Sequence, residues 1–133
     1  MFLEILNEQE RQAFLFFANG VIEADGKIDD SEMQLLNTLL SSLNILTKES
    51  GLNEDESFNI MKAASEKVKK AAYLELYSLA VSDGDYDPKE KAYLKKIQQQ
   101  LNLTSDFVEK AAEWLQNYYT EIKKGMKLIV NEE

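Results

Sequence analysis

The sequence predicts an all-α fold, a helical bundle of about six helices made of two pseudo-symmetric repeats, and three observations carry the prediction. Proline occurs once, at Pro88, and glycine only five times, so long stretches are free of helix breakers. Apolar residues recur at helical spacing in one segment after another, with no sustained two-residue alternation between hairpin turns. A string of residues in the first half also recurs in the second.

Taken in order, Phe14, Phe17, Ala18 and Val21 place a helix near 7–24, and Leu35, Leu36, Leu39, Leu40 and Leu43 place the next near 29–44. Gly51 breaks the chain, and Asn53 followed by Glu56 reads as a capping box, which opens a third helix over 53–65 and leaves 45–52 as a loop. Ala72, Leu76, Leu79 and Ala80 give a fourth helix over 67–82. Leu94, Ile97 and Leu101 give a fifth over 88–101, with Pro88 at the first position, where its missing N–H costs nothing. The sixth, 105–123, carries one stripe through Phe107, Ala111, Trp114, Leu115, Tyr118 and Ile122, and a further short piece follows at 126–130. On this stripe Trp114 and Tyr118 belong to the core, while Tyr119 lies off it and faces outward.

The chain of 133 residues reads as a single domain, 1–133, with repeat one at about 7–65 and repeat two at about 67–123. Cysteine and histidine are both absent, so disulfides, thiolate nucleophiles and imidazole bases are excluded, and any metal site must be built from oxygen. Oxygen donors suit calcium, magnesium or manganese. The balance of 15 basic and 24 acidic residues gives a net charge of −9, which argues against nucleic acid or an anionic lipid surface as the main partner. Lys67, Lys69 and Lys70, and Lys123, Lys124 and Lys127, read as solvated helix faces. The N-terminal run MFLEILNEQE has acid where a secretory signal needs base, and the most apolar stretch, 13–24, is about half the length of a membrane span. A cytoplasmic protein with no membrane insertion is the expectation.

The repeated string is EADGKIDDSEMQLL, aligned with VSDGDYDPKEKAYL at an offset of 83 − 25 = 58. It pairs Asp25 with Asp83, Gly26 with Gly84, Asp29 with Asp87, Glu32 with Glu90, Leu36 with Leu94, Leu43 with Leu101 and Asn44 with Asn102. The third helices match only through Lys62-Ala63-Ala64 and Lys110-Ala111-Ala112, where the offset falls to 48.

Helix-terminus chemistry accounts for much of this motif. Gly26 and Gly84 fit the left-handed residue that ends a helix. Asp29 and Asp87 fit N-caps, with Glu32 and Glu90 completing capping boxes. Ile28 can pack on Met33 as a hydrophobic staple, and Tyr86 on the stem of Lys91. Asp25 and Asp83 are left over, because a carboxylate at a helix C-terminus opposes the dipole by roughly 0.3–1 kcal/mol. With Glu23, Asp30 and Asp85 nearby, a bound cation would relieve the crowding, so cation binding and simple solvated turns stand as rival readings. The spacing G-x5-E matches a calcium EF-hand loop, but Val21 and Leu79 occupy the place of its first aspartate.

The strings ADGKIDDSE and SDGDYDPKE, each after a helix that ends in small and apolar residues, resemble the tellurite-resistance TerB-like family, which includes the N-terminal domain of a DnaJ-type membrane co-chaperone. The resemblance spans about 13–115. It implies two pseudo-symmetric helical halves and a non-enzymatic module of bacterial stress response that binds metal or a protein partner. Carried onto this chain, the metal set is Asp25, Asp29 and Glu32 in the first copy and Asp83, Asp87 and Glu90 in the second. Two alternatives stand beside this reading: a purely structural interaction domain without metal, and a carboxylate-metal-dependent hydrolase whose cations activate water. Nothing in the sequence supplies the hydrolase with an evident base. Oligomeric state is left open by the sequence.

Overall fold

A computed structural model describes residues 2–24, 26, 30–43, 45, 49–82 and 86–130. Among them every regular element is helical: a 3-10 turn at Leu3–Ile5, then α1 (Glu8–Glu23), α2 (Asp30–Ser42), α3 (Glu54–Ala63), α4 (Glu66–Ala80), α5 (Pro88–Gln100) and α6 (Ser105–Val130). The all-α prediction holds. Two boundaries differ from it: the opening 3-10 turn has no helical periodicity to announce it, and α6 runs unbroken through Gly125 where a separate piece was expected at 126–130.

Contacts divide the chain into two compact units, Met1–Leu103 and Thr104–Glu133. In the first, α1 is the hub. It packs on α3 and α4 and also touches α2 and α5, while α4 touches both α5 and α2. Phe14, Phe17, Ala18 and Val21 of α1 are buried, as are Leu36 and Leu40 of α2, Phe58 and Met61 of α3, Leu76 and Leu79 of α4, and Leu94 and Ile97 of α5. Each such large side chain contributes roughly 1.5–3 kcal/mol by leaving water. Phe17 and Phe58 meet with ring centroids 4.7 Å apart, which fixes α3 against α1.

The loop before α3 is tied to α1 by side-chain bonds. The Ser50 hydroxyl donates to Gln12 O at 2.8 Å, and Gly51 N–H donates to Gln12 Oε1 at 3.3 Å. The predicted Asn53–Glu56 box then starts α3. A second box, Asn7–Glu10, starts α1.

The C-terminal ends of α2 and α5 close with the same bond. Ile45 N–H donates to Leu40 O at 2.9 Å, and Leu103 N–H donates to Gln98 O at 3.0 Å, positions that differ by 103 − 45 = 58 and 98 − 40 = 58. Around Asn102, which has φ 55°, this is the six-to-one bond of a Schellman ending. Asn44, its aligned counterpart, lies outside the described residues.

The second unit is α6. Ala111 and Leu115 are buried, but Trp114 is 39% exposed and Tyr118 and Tyr119 are both half-buried. The core assignment of Trp114 is corrected. Its ring stacks on that of Tyr118, one turn along the same helix, with centroids 5.6 Å apart.

Candidate functional site

Helix α1 ends at the first turn. Gly26 N–H donates to Glu23 O at 3.0 Å, and Gly26 has φ +74°, the left-handed conformation that an L side chain adopts only at a cost of roughly 1–2 kcal/mol. Of the six acidic residues singled out in the sequence, Asp25, Asp29 and Asp83 lie outside the described residues, as do Ile28, Gly84 and Asp85. Glu32, Asp87 and Glu90 are placed.

Asp87 caps α5 as expected. Its side chain accepts from Lys89 N–H at 2.7 Å, Glu90 Oε1 accepts from Asp87 N–H at 3.2 Å, and Pro88 takes the first helical position. Tyr86 lies just before the cap, with Lys91 Nζ 5.2 Å from its ring centroid, in keeping with the predicted packing on that lysine. On its other side Tyr86 meets Tyr77 at 5.5 Å, and Tyr77 meets Tyr73 at 6.4 Å. Burial, reinforced by Tyr73, Tyr77 and Glu90, pushes the Tyr86 hydroxyl well above the ordinary phenol pKa.

The two glutamates are the unexpected part of this site. Glu32 and Glu90 are each 1% exposed, and the Oε2 atom of each is out of reach of water. Capping alone does not demand this. In two other capping boxes, Glu10 is half-buried and Glu56 exposed while making the bond that Glu90 makes. A carboxylate in a low-dielectric interior is costly unless something favours its charge, and a proton, a hydrogen-bond donor or a hard cation each meets that need. Sequence periodicity could have flagged both residues, since Glu32 lies four before Leu36 and Glu90 four before Leu94, on the inward faces of α2 and α5.

Glu23, at the end of α1, also borders a cleft of about 330 Å3 shared with Phe16, Asn19, Glu49, Ser50 and Leu52. Val21 and Leu79 are both fully buried, which removes the EF-hand reading, because no ligand can stand at its first position. Among the described residues, no group of three or more carboxylates stands close enough to hold a metal ion. None of the described helices is long and apolar enough to cross a membrane.

No family model, curated protein or solved structure matches the chain. The TerB-like likeness therefore stands on the two turn motifs.

Proposed function

We propose that this chain is a non-enzymatic module that takes a divalent cation at its paired acidic turns and docks a protein partner. The observation that carries the reading is the burial of Glu32 and Glu90, two carboxylates 58 positions apart (90 − 32 = 58), each at the start of a helix that follows an Asp-Gly turn. A cation held by Asp25, Asp29 and Glu32, or by Asp83, Asp87 and Glu90, would offset the desolvation of the buried oxygen. Calcium, magnesium and manganese are the candidates, since every donor is oxygen. The role in bacterial stress response extends from the TerB-like resemblance, and the cytoplasmic location from the acidic N-terminal run and the shortness of the most apolar stretch.

The test is calorimetric unfolding with and without each cation at fixed ionic strength. Saturating cation at about a hundredfold excess over its dissociation constant should stabilise the protein by about 2.7 kcal/mol. Asp25→Asn with Asp83→Asn should remove that gain and leave the fold intact. Equal responses of the wild type and this variant to all three cations would overturn the cation reading.

One observation favours the rival reading of a purely structural domain. The Asp87 side chain is engaged by Lys89 N–H and Glu90 Oε1 by Asp87 N–H, so at the start of α5 these two carboxylates already serve as a capping box. The same calorimetric experiment separates the two.

A further inference from the structure

The N-terminal run and the first turns of α4 enclose a cleft of about 320 Å3. Its α4 wall is one helix face. Lys67, Lys70, Ala71 and Leu74 follow at intervals of three, one and three, beside the buried row of Val68, Ala72 and Leu76. The opposite wall is Phe2 and Ile5, on either side of the buried Leu3 of the 3-10 turn. Phe2 N–H donates to Glu75 Oε2 at 3.3 Å, and Leu3 and Leu6 are 1% and 3% exposed, so the run is fastened to α4 and the cleft is formed in advance of any ligand.

The lining is divided by polarity. Phe2 and Leu74 are half-buried, Ile5 is 43% exposed, and Ala71 lies beneath them, so the cleft presents apolar surface to the outside. Lys67 and Lys70 are exposed at the end nearest the start of α4. Lys69, the third lysine of this cluster, is off that face and pairs with Glu66 at 3.6 Å. A merely solvated helix face accounts for the lysines but not for the apolar residues that share their side of the helix.

Size and charge narrow the occupant. Small-molecule sites run from about 300 to 1,000 Å3 and combine a mostly apolar lining with a few placed polar groups. The cleft meets both conditions, whereas its seven lining residues fall well short of the roughly 20–30 that a standard protein interface uses on each side. Two ammonium groups against the Glu4 carboxylate leave 2 − 1 = +1 in the cleft, on a chain of net −9. A cationic ligand would meet both lysines, and a neutral one would leave them unused. Lys67 also stands in the first turn of α4, where the helix dipole disfavours a cation and a bound anion would offset it. Lys67 and Leu74 are two turns apart, roughly 10 Å, a length comparable to that of extended octanoate. We infer that the cleft binds a medium-chain alkyl carboxylate, its tail against Phe2, Ile5, Ala71 and Leu74 and its head taking charge-assisted hydrogen bonds from Lys67 and Lys70. The site shares no residue with the paired acidic turns, so the inference stands apart from the cation reading.

The test titrates the full chain at neutral pH, with chelator present, with octanoate, octylammonium, octanol and acetate, each kept monomeric in solution. Calorimetry should show saturable octanoate binding at least about tenfold tighter than that of the other three, and weaker as salt is raised. Amide NMR shifts should centre on Ile5, Ala71 and Leu74. Lys67→Gln with Lys70→Gln, which keeps much of the stems and removes the charges, should weaken octanoate about tenfold or more. Glu4→Gln should strengthen it about threefold, and Ile5→Ser, at an exposed position, should weaken it by about threefold or more. Circular dichroism should be the same for all these variants; if the lysine variant loses helix, the preference of the wild type for octanoate over octylammonium decides. Absence of saturable binding, equal affinity for octanoate and for octylammonium or octanol, an affinity untouched in a folded lysine variant, or shifts confined to other parts of the chain would overturn the inference. Binding to phosphatidylglycerol vesicles without octanoate binding would overturn it in favour of a membrane contact.

Discussion

Glu32 and Glu90 occupy the third position of α2 and of α5, 58 residues apart, and each exposes 1% of its surface. The same offset joins other buried pairs: Phe14 with Ala72, Ala18 with Leu76, Val21 with Leu79, Leu36 with Leu94, and Leu39 with Ile97. A carboxylate among such pairs is held there by its helix as firmly as the leucine one turn on. Its replacement by glutamine keeps the shape and removes the charge. If a cation at the turns is what favours the charge, Glu32→Gln and Glu90→Gln should each leave the protein folded and reduce the cation-dependent rise in melting temperature. A rise that persists in full in the double variant would separate these glutamates from any cation effect.

Helix α1 carries a glycine where its helical periodicity gives no reason for one. A Cβ at Gly20 would stand 2.1 Å from the Tyr93 hydroxyl oxygen and 2.4 Å from Cζ, so α1 and α5 approach each other through this absence of a side chain. Gly20→Ala gains up to about 1 kcal/mol of helix propensity but overpacks the contact, which typically costs about 1–3 kcal/mol. Denaturant unfolding should show net destabilisation. In a Tyr93→Leu background the same substitution should become neutral or stabilising, and an unchanged penalty there would mean that Tyr93 is not the obstacle.

Burial raises the hydroxyl of Tyr73 to about 12, with Tyr77 adding to the shift, and that of Tyr93 to about 12, with Glu54 and Glu23 adding. Phenols in the unfolded chain titrate near pH 10. The native state therefore holds protons that the unfolded state releases, and stability is complete below pH 10 and declines as pH rises from about 10 to about 12. Urea midpoints measured across this range should fall, and less steeply in Tyr73→Phe. A flat profile up to pH 12 would contradict the burial of these hydroxyls.

Most of the fold was legible because helical periodicity and capping chemistry are local. Gly26, Asp87 with Glu90, and Asn53 with Glu56 do in space what their types and spacing imply. The depth of Glu32 and Glu90 was signalled only by their spacing, four before Leu36 and four before Leu94, because a glutamate three residues after a cap is ordinarily read as a surface partner for the backbone. Trp114 shows the converse. It shares the apolar stripe of α6, yet it remains 39% exposed, because a stripe fixes a direction and not whether anything covers it.

The paired helix endings offer a direct test of the duplication. Asn102 has φ 55°, and Leu103 N–H reaches back to Gln98 O across it; Ile45 N–H makes the same reach to Leu40 O across Asn44. Asparagine tolerates the left-handed conformation better than residues with other side chains, and glycine better still. Asn102→Ala should therefore destabilise the protein by about 1 kcal/mol, whereas Asn102→Gly should be neutral or slightly stabilising. If the two halves are equivalent, Asn44→Ala and Asn44→Gly should repeat this pattern in sign and approximate size. The four variants can be compared by thermal unfolding under one set of conditions. An Asn44→Ala variant as stable as the wild type, beside a destabilised Asn102→Ala, would show that the two endings differ and that the repeat does not extend to them.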